Sequence, residues 1–272
     1  MKKLFIAFWR RNLAFSELAI VSNLEYRFNF FIDAFVQPLI TVGIELLMWF
    51  AIFETANAVQ IGGFGRDNYL AYGVWAPFLG RIAVSWMYES MMVEEVASGS
   101  INVILTRPIS FYEYYLSQLM GYKVTTTLIS MIAPLAVSLF FDLPVHYSRL
   151  PLAIGLVFYY LFLVHTLSFL ISTFAFYMTR VRSLTLVKNL TLWLLAGELV
   201  PIDLMPPTFA KILLLSPFPA GVYTPVAYIT GRAGSDLVLQ SFISVTISMV
   251  LAVVISTWLW RKGLKSYTGT GA

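Results

Sequence analysis

The sequence predicts an all-α integral membrane protein with six transmembrane helices, on three observations. Of the 272 residues 59% are apolar and only 12% are charged, about half the charged share that keeps a typical soluble domain solvated, and mean hydropathy is +0.78. The apolar residues come in blocks of about 20 or more, the length that crosses a ~30 Å hydrocarbon core at ~1.5 Å per residue. Blocks such as residues 152–178 and 237–260 run almost unbroken, whereas a β-barrel alternates in ~10-residue segments.

In chain order, residues 1–27 come first. Phe5, Phe8, Trp9, Phe15 and Leu18 stand beside Arg10, Arg11, Asn12 and Glu17, a composition suited to a helix lying in the membrane interface. Arg10 and Arg11 interrupt the apolar run, so a cleaved signal peptide is not expected. The predicted spans are residues 28–53, 69–92, 112–140, 151–178, 184–200 and 237–260. Residues 54–67, with Gly62, Gly63 and Gly65, read as a short loop. Residues 201–232 are too apolar for an open loop and are broken by Pro201, Pro206, Pro207, Pro217, Pro219 and Pro225. Irregular backbone at membrane depth needs protein or a water-filled cavity around it. That favours a pair of short helices dipping into the outer leaflet and returning, over a hydrophobic loop lying on the membrane.

Charge sets the orientation. With the N-terminus inside, the inner side collects Lys2, Lys3, Arg10, Arg11, Arg27, Arg107, Lys123, Arg180, Arg182, Lys188, Arg261, Lys262 and Lys265. The outer side holds only Arg66, Arg149, Lys211 and Arg232. Basic residues gather on the cytoplasmic side of membrane proteins, so both termini are expected there. The same bias explains a pI near 9.2 without a nucleic-acid partner.

Several chemistries are excluded. Cysteine is absent, which removes disulfides, thiolate metal sites and cysteine nucleophiles. The only histidines, His146 and His165, are too few for a histidine-rich metal centre, so no metal is expected. There is no G-x-x-x-x-G-K-[ST] loop, G-x-G-x-x-G turn, H-E-x-x-H helix, G-x-S-x-G elbow or EF-hand run. The chain is therefore expected to be non-catalytic, with any energy for uphill transport drawn from an ion gradient or another subunit.

The remaining chemical signal is charge inside the spans. An ionised group near the bilayer centre costs about 2.5–3.5 kcal/mol on insertion scales, so Asp33 and Glu45 in the first span and Arg81 in the second need partners or water. Counted inward from the outer ends, Glu45 and Arg81 differ in depth by about 6 Å, within reach of an arginine. A Glu45–Arg81 contact is expected, either lining a translocation route or tying two helices together. Aromatics near Asp33 and Glu45 would suit a lipophilic cation, although Arg81 opposes a purely cation-selective route. Lys123 and Lys188 are close enough to the cytoplasmic ends to snorkel, and His165 reads as a hydrogen-bonded packing histidine rather than a proton relay. Residues 91–109 form the longest cytoplasmic segment between spans. Polar Glu94, Glu95 and Asn102 alternate there with apolar Val96, Ile101 and Val103, a short amphipathic element fit either to dock on a partner or to lie on the membrane.

Glu25-Tyr26-Arg27-Phe28-Asn29-Phe30 at the start of the first span resembles a motif of ABC-2 type permeases. So does Gly99-Ser100-Ile101-Asn102-Val103-Ile104-Leu105-Thr106-Arg107-Pro108. Pro217-Phe218-Pro219, Tyr223-Thr224-Pro225 and Gly231 are similar to that family's outer re-entrant region, and Trp260-Arg261-Lys262-Gly263-Leu264-Lys265-Ser266-Tyr267 to its ending. The ordered set is most similar to the viologen or multidrug exporter branch. One departure is Glu198, ahead of Pro201, where that family has a small residue.

The resemblance implies the transmembrane subunit of an ABC exporter in a bacterial cytoplasmic membrane. It would pair with a second permease, identical or related, and dock on two copies of a separate ATP-binding subunit that holds the ATP and Mg. Glu94, Glu95, Gly99, Ile101, Asn102, Val103, Arg107 and Pro108 would couple to that subunit. Asp33, Glu45 and Arg81 would line the path. Glu198, Pro201, Pro217, Phe218, Pro219, Tyr223 and Pro225 would form the outer gate. The cargo would be amphiphilic or hydrophobic. A gradient-driven carrier or channel is the alternative, though the internal repeats common in secondary carriers are not evident. An intramembrane enzyme acting on lipid would want a catalytic cluster that the two histidines do not supply.

Overall fold

The computed structural model describes residues 12–18, 20–21, 27–178 and 180–267. Residues 12–18 and 20–21 are helical, and Ser16 Oγ donates to the Ser117 carbonyl at 2.8 Å. The rest of the expected interfacial helix lies outside the described residues. Of the motif at residues 25–30, Glu25 and Tyr26 also lie outside them, and only the Phe28 and Phe30 side chains are described.

The chain then runs through α1 (Arg27–Phe31), a π-turn (Ile32–Val36) and α2 (Gln37–Ala56). Pro38 has no N–H to offer the carbonyl four residues back, and the Gln37 N–H reaches five residues back to Ile32. The helix widens at that point, and a widened turn re-aims the side chains it carries. The predicted loop after α2 contains a hairpin, β1 (Gln60–Ile61) against β2 (Phe64–Gly65). Gly62 and Gly63 lie at φ +57° and +85°, the left-handed pair that a two-residue turn of this hand requires.

The predicted second span is not one helix. α3 (Arg66–Ala83) ends at an extended Val84 and α4 (Trp86–Ser98) begins afresh. Residues 69 to 83 of α3 are buried almost throughout except Arg81, so α3 is surrounded by protein, which explains its tolerance of polar residues. After Gly99 comes the short α5 (Asn102–Leu105), then α6 (Phe111–Ser130) and α7 (Ile132–Phe140). α6 starts with a capping box: the Glu113 N–H donates to Ser110 Oγ at 3.2 Å and the Ser110 N–H to Glu113 Oε2 at 3.3 Å. Pro134 cannot donate to Ser130, and the helix breaks at Met131 accordingly.

α8 (Leu150–Thr173) follows, with Pro151 in its first turn where no donor is needed. α9 (Arg182–Leu195) is short, about 21 Å at 1.5 Å per residue, and does not fill the predicted fifth span. It stops at Gly197, φ +81°. The proline-rich stretch folds as α10 (Pro207–Leu215) and α11 (Tyr223–Ile229), two short helices as expected. α11 is almost wholly buried. α12 (Ser235–Ser266) closes the described chain and packs along α8.

By length and composition, four helical stretches among the described residues are fit to cross a membrane: Ile32–Ala56, Phe111–Phe140, Tyr147–Phe176 and Ser235–Ser266. α3 and α9 fall outside that group because one is polar and enclosed and the other is short. The main core joins α3, α8 and α11, with α2 and α12 against its flanks. A second cluster gathers Tyr88, Met92, Val96, Ile101, Ile104, Phe111 and Leu119 around the turn after α4.

Candidate functional site

Two places gather the predicted residues: the elbow between α4 and α6, and a cleft beside Arg81. The elbow is built around Gly99, which adopts φ +83°, a left-handed conformation natural to glycine. The Ile101 N–H donates to the Glu95 carbonyl at 3.1 Å, folding α5 back against α4. Ile101 and Ile104 are buried, while Val103 and Leu105 are 58% and 42% exposed. This separates residues that the sequence grouped together: Ile101 and Val96 hold the elbow from within, and Val103 faces out. Asn102, Arg107 and Pro108 also lie on the exposed side. Exposed Glu94 pairs with Arg182 at 3.2 Å, a contact of the surface kind that contributes little.

Glu95 is half-buried, and burial raises its carboxyl above the ordinary range, while a hydrogen bond with Tyr115 and the Arg107 charge pull it back. The C-terminal motif braces the elbow from the side. Tyr267 donates to the Gly99 carbonyl at 3.0 Å. Trp260 stacks on Phe111 with centroids 5.1 Å apart, and Gly263 lets α12 approach Phe176 where a Cβ would collide.

The intramembrane charges pair differently from the sequence expectation. Arg81 is bound to Asp33, not Glu45, and the other oxygen of Asp33 accepts from the Tyr122 hydroxyl. The depth estimate treated both helices as straight. The π-turn sends Asp33 toward the last turn of α3, whereas Glu45 lies against Gly73, eight residues earlier on α3 or about 12 Å along it. Glu45 is 4% exposed, and neither of its carboxyl oxygens has a hydrogen-bond partner.

Neither predicted lysine snorkels. Lys123 is buried and its Nζ donates to the Arg81 carbonyl at 2.6 Å, satisfying a carbonyl where α3 ends. Lys188 pairs with Glu89 and hydrogen-bonds to Ser168 Oγ at 3.0 Å, so α9, α4 and α8 meet at one buried polar knot. Sequence reasoning passed over Glu89, which sits beyond the apolar centre of its predicted span. His165 hydrogen-bonds to the Tyr112 carbonyl at 3.1 Å and packs on the Tyr112 ring, as a packing histidine does.

The proline-rich stretch carries a buried charge of its own. Arg232 has a fully buried side chain paired with Asp203. Its guanidinium lies 4.4, 4.5 and 5.4 Å from the ring centroids of Phe64, Tyr69 and Tyr72, within cation–π range. Of the predicted gate residues, Pro217, Phe218 and Pro219 form the turn into α11, and Pro225 lies inside it. Pro201 is buried just after α9. The end of α9 is tied to this region: the Tyr223 N–H donates to the Ala196 carbonyl at 2.9 Å and the Tyr72 hydroxyl to the Gly197 carbonyl at 2.6 Å.

Glu198 leaves that junction to enter a cleft of about 130 Å³ with Gln37, Thr41, Pro77, Gly80, Arg81, Trp86 and Trp193. Its carboxylate lies so close to α3 that a Cβ on Gly80 would strike it. Asp33 and Glu45 are not among the lining residues; Arg81 is.

This helical body, with helices fit to span a membrane and a braced elbow, meets one comparison. Residues 39–271 match the family described as ABC-2 family transporter protein. The chain belongs to that family. ABC-2 permeases supply the transmembrane component of ABC transporters, with ATP hydrolysis in a separate subunit. Comparison with curated proteins finds no match.

Proposed function

We propose that this ABC-2 permease is half of the membrane pore of an ATP-driven exporter that moves an amphiphilic or hydrophobic cargo. It spans the cytoplasmic membrane six times, α3 with α4 and α9 supplying the two crossings enclosed by protein, and keeps both termini inside. It works beside a second permease, on two copies of an ATP-binding subunit that holds the nucleotide and its magnesium.

The observation that carries this reading is the elbow. Its inner face is locked by Ile101 and Ile104, its flank by Tyr267, and its outer face presents Val103 and Leu105. A rigid knuckle with an apolar tip transmits force from a docked subunit. Closure of the ATP-binding subunits pushes α5, α4 carries the push to the Glu89–Lys188–Ser168 knot, and α8 and α9 move with it. The test replaces Val103 and Leu105 together with Asp and measures co-purification of the ATP-binding subunit and transport. Loss of both, with unchanged melting of the permease, is expected. Retention of both overturns the docking assignment.

A further inference from the structure

From Ile247 onward α12 is two-faced. One face braces the elbow: Trp260 stacks on Phe111, Gly263 lies against Phe176 and Tyr267 reaches the Gly99 carbonyl. The opposite face is open. Ile247, Leu251, Val254 and Trp258 are each 58% to 63% exposed, and their spacing of four, three and four residues sets them in one row along the helix. Arg261, Lys262 and Lys265, all exposed, continue that row. Ile247 to Trp258 covers about 16 Å at 1.5 Å per residue, close to half of a ~30 Å hydrocarbon core. The apolar row therefore has the length of one leaflet's chains, and the basic residues stand at headgroup level.

These three cations have no acidic partner among the described residues. Lys262 lies 5.4 Å from the Trp258 ring centroid instead. Lys265 in the last turn also suits the helix dipole, but that effect fades within one turn, and Arg261 and Lys262 lie farther in. A positive-inside bias asks only that basic residues be on the inner side; it does not gather three of them above a row of exposed apolar side chains. An open hollow of about 640 Å³ runs from Val253 and Val254 past Trp258 to Arg261, Lys262 and Lys265, within the ~300–1,000 Å³ of small-molecule sites.

We infer that this face of α12 holds an anionic phospholipid of the inner leaflet, its phosphate among Arg261, Lys262 and Lys265 and a chain along the row that ends at Trp258. A zwitterionic lipid offers the same chains but carries its own ammonium beside the phosphate, so charge decides between the two. The bound lipid steadies the last turns of α12 and, through Trp260 and Tyr267 on the other face, the elbow. The inference goes beyond the permease reading and takes from it only the inward C-terminus.

Native mass spectrometry of the purified permease measures bound dioleoyl phosphatidylglycerol against dioleoyl phosphatidylcholine. A preference for the anionic lipid of about tenfold or more is expected, since each basic residue at a charged membrane surface supplies about fivefold. Lys262→Gln should lower it about fivefold, and Arg261→Gln with Lys262→Gln and Lys265→Gln should remove it. Lys211→Gln, the same change of net charge elsewhere, should leave it intact. Equal binding of the two lipids, or an equal loss in Lys211→Gln, overturns the inference. Displacement of the lipid by glycerol 3-phosphate, which has no chains, reveals a free-phosphate site and overturns it too. So does a triple variant that changes the oligomeric state but not lipid binding, which assigns the face to a second copy of the chain.

Amide hydrogen exchange at residues 99–105, in nanodiscs of either lipid, reads the link to the elbow. Exchange should be slower with phosphatidylglycerol, and the difference should vanish in the triple variant. Equal exchange in the two lipids overturns that link. None of these measurements uses the ATP-binding subunit, so the headgroup preference can fail while docking of the elbow stands, and the reverse.

Discussion

Acidic side chains reach the interior of this protein in two ways. Asp33 and Glu89 each hold a basic partner, Arg81 and Lys188, near the break between α3 and α4. Glu45 and Glu198 lie along the Gly73–Gly80 face of α3, close-packed against glycine and without an ion pair among the described residues. The paired acids tie helices together where the chain changes direction. The unpaired ones sit where burial favours the neutral carboxyl, so they bring polarity to the face without a matching ion pair. A family member that moves cargo has use for both: joints that transmit a push, and a polar surface left free to meet something else.

The difference predicts a graded set of responses to substitution. The largest belongs to Lys188→Met. Glu89 is fully buried and Lys188 nearly so, and stranding one member of such a pair costs about 3–5 kcal/mol. Unfolding of the purified permease should show a loss of that size, and Glu89→Gln combined with Lys188→Met should recover a good part of it. Failure of the double variant to recover would deny that the pair acts as one unit. Arg81→Met comes next. Both partners are more than a quarter exposed, so solvent screens the orphaned Asp33 and the loss should stay near 1–2 kcal/mol, between the surface and buried limits.

Glu45→Gln should change stability by less than about 1 kcal/mol in either direction, since no hydrogen bond is lost. A large loss would reveal a partner and move Glu45 into the other class. The smallest effect is that of Glu95→Gln. Its carboxyl is raised in the folded state, so the folded protein holds that proton more tightly than the unfolded chain. Stability from this group is present at low pH and is lost as pH climbs from the ordinary carboxylate value toward the raised one. The Gln variant should melt slightly higher at neutral pH and show a flatter pH profile over that window.

Much of the architecture was legible in the linear order of residues. The apolar blocks at 28–53, 112–140, 151–178 and 237–260 correspond to the four helical stretches long and apolar enough to span, because lipid-facing helices must be apolar along their length. The proline pattern announced a broken segment between α9 and α12, since proline removes a helix donor wherever it stands. The sequence also marked Glu198 as a departure from its family and Arg81 as an intramembrane charge. Length and composition could not show that α3 is sheathed in protein, because a helix buried by other helices need not announce itself to lipid.

The sequence by itself determined that this chain is a helical membrane protein without a nucleotide loop, and which of its charges are anomalous for that setting. Only the tertiary structure decided how those charges are matched. A π-turn, a helix break at Val84 and two close-packed glycines set which side chains share a depth and a face. Pairing in a low-dielectric interior depends on distances of a few ångströms, which spacing along a chain does not encode.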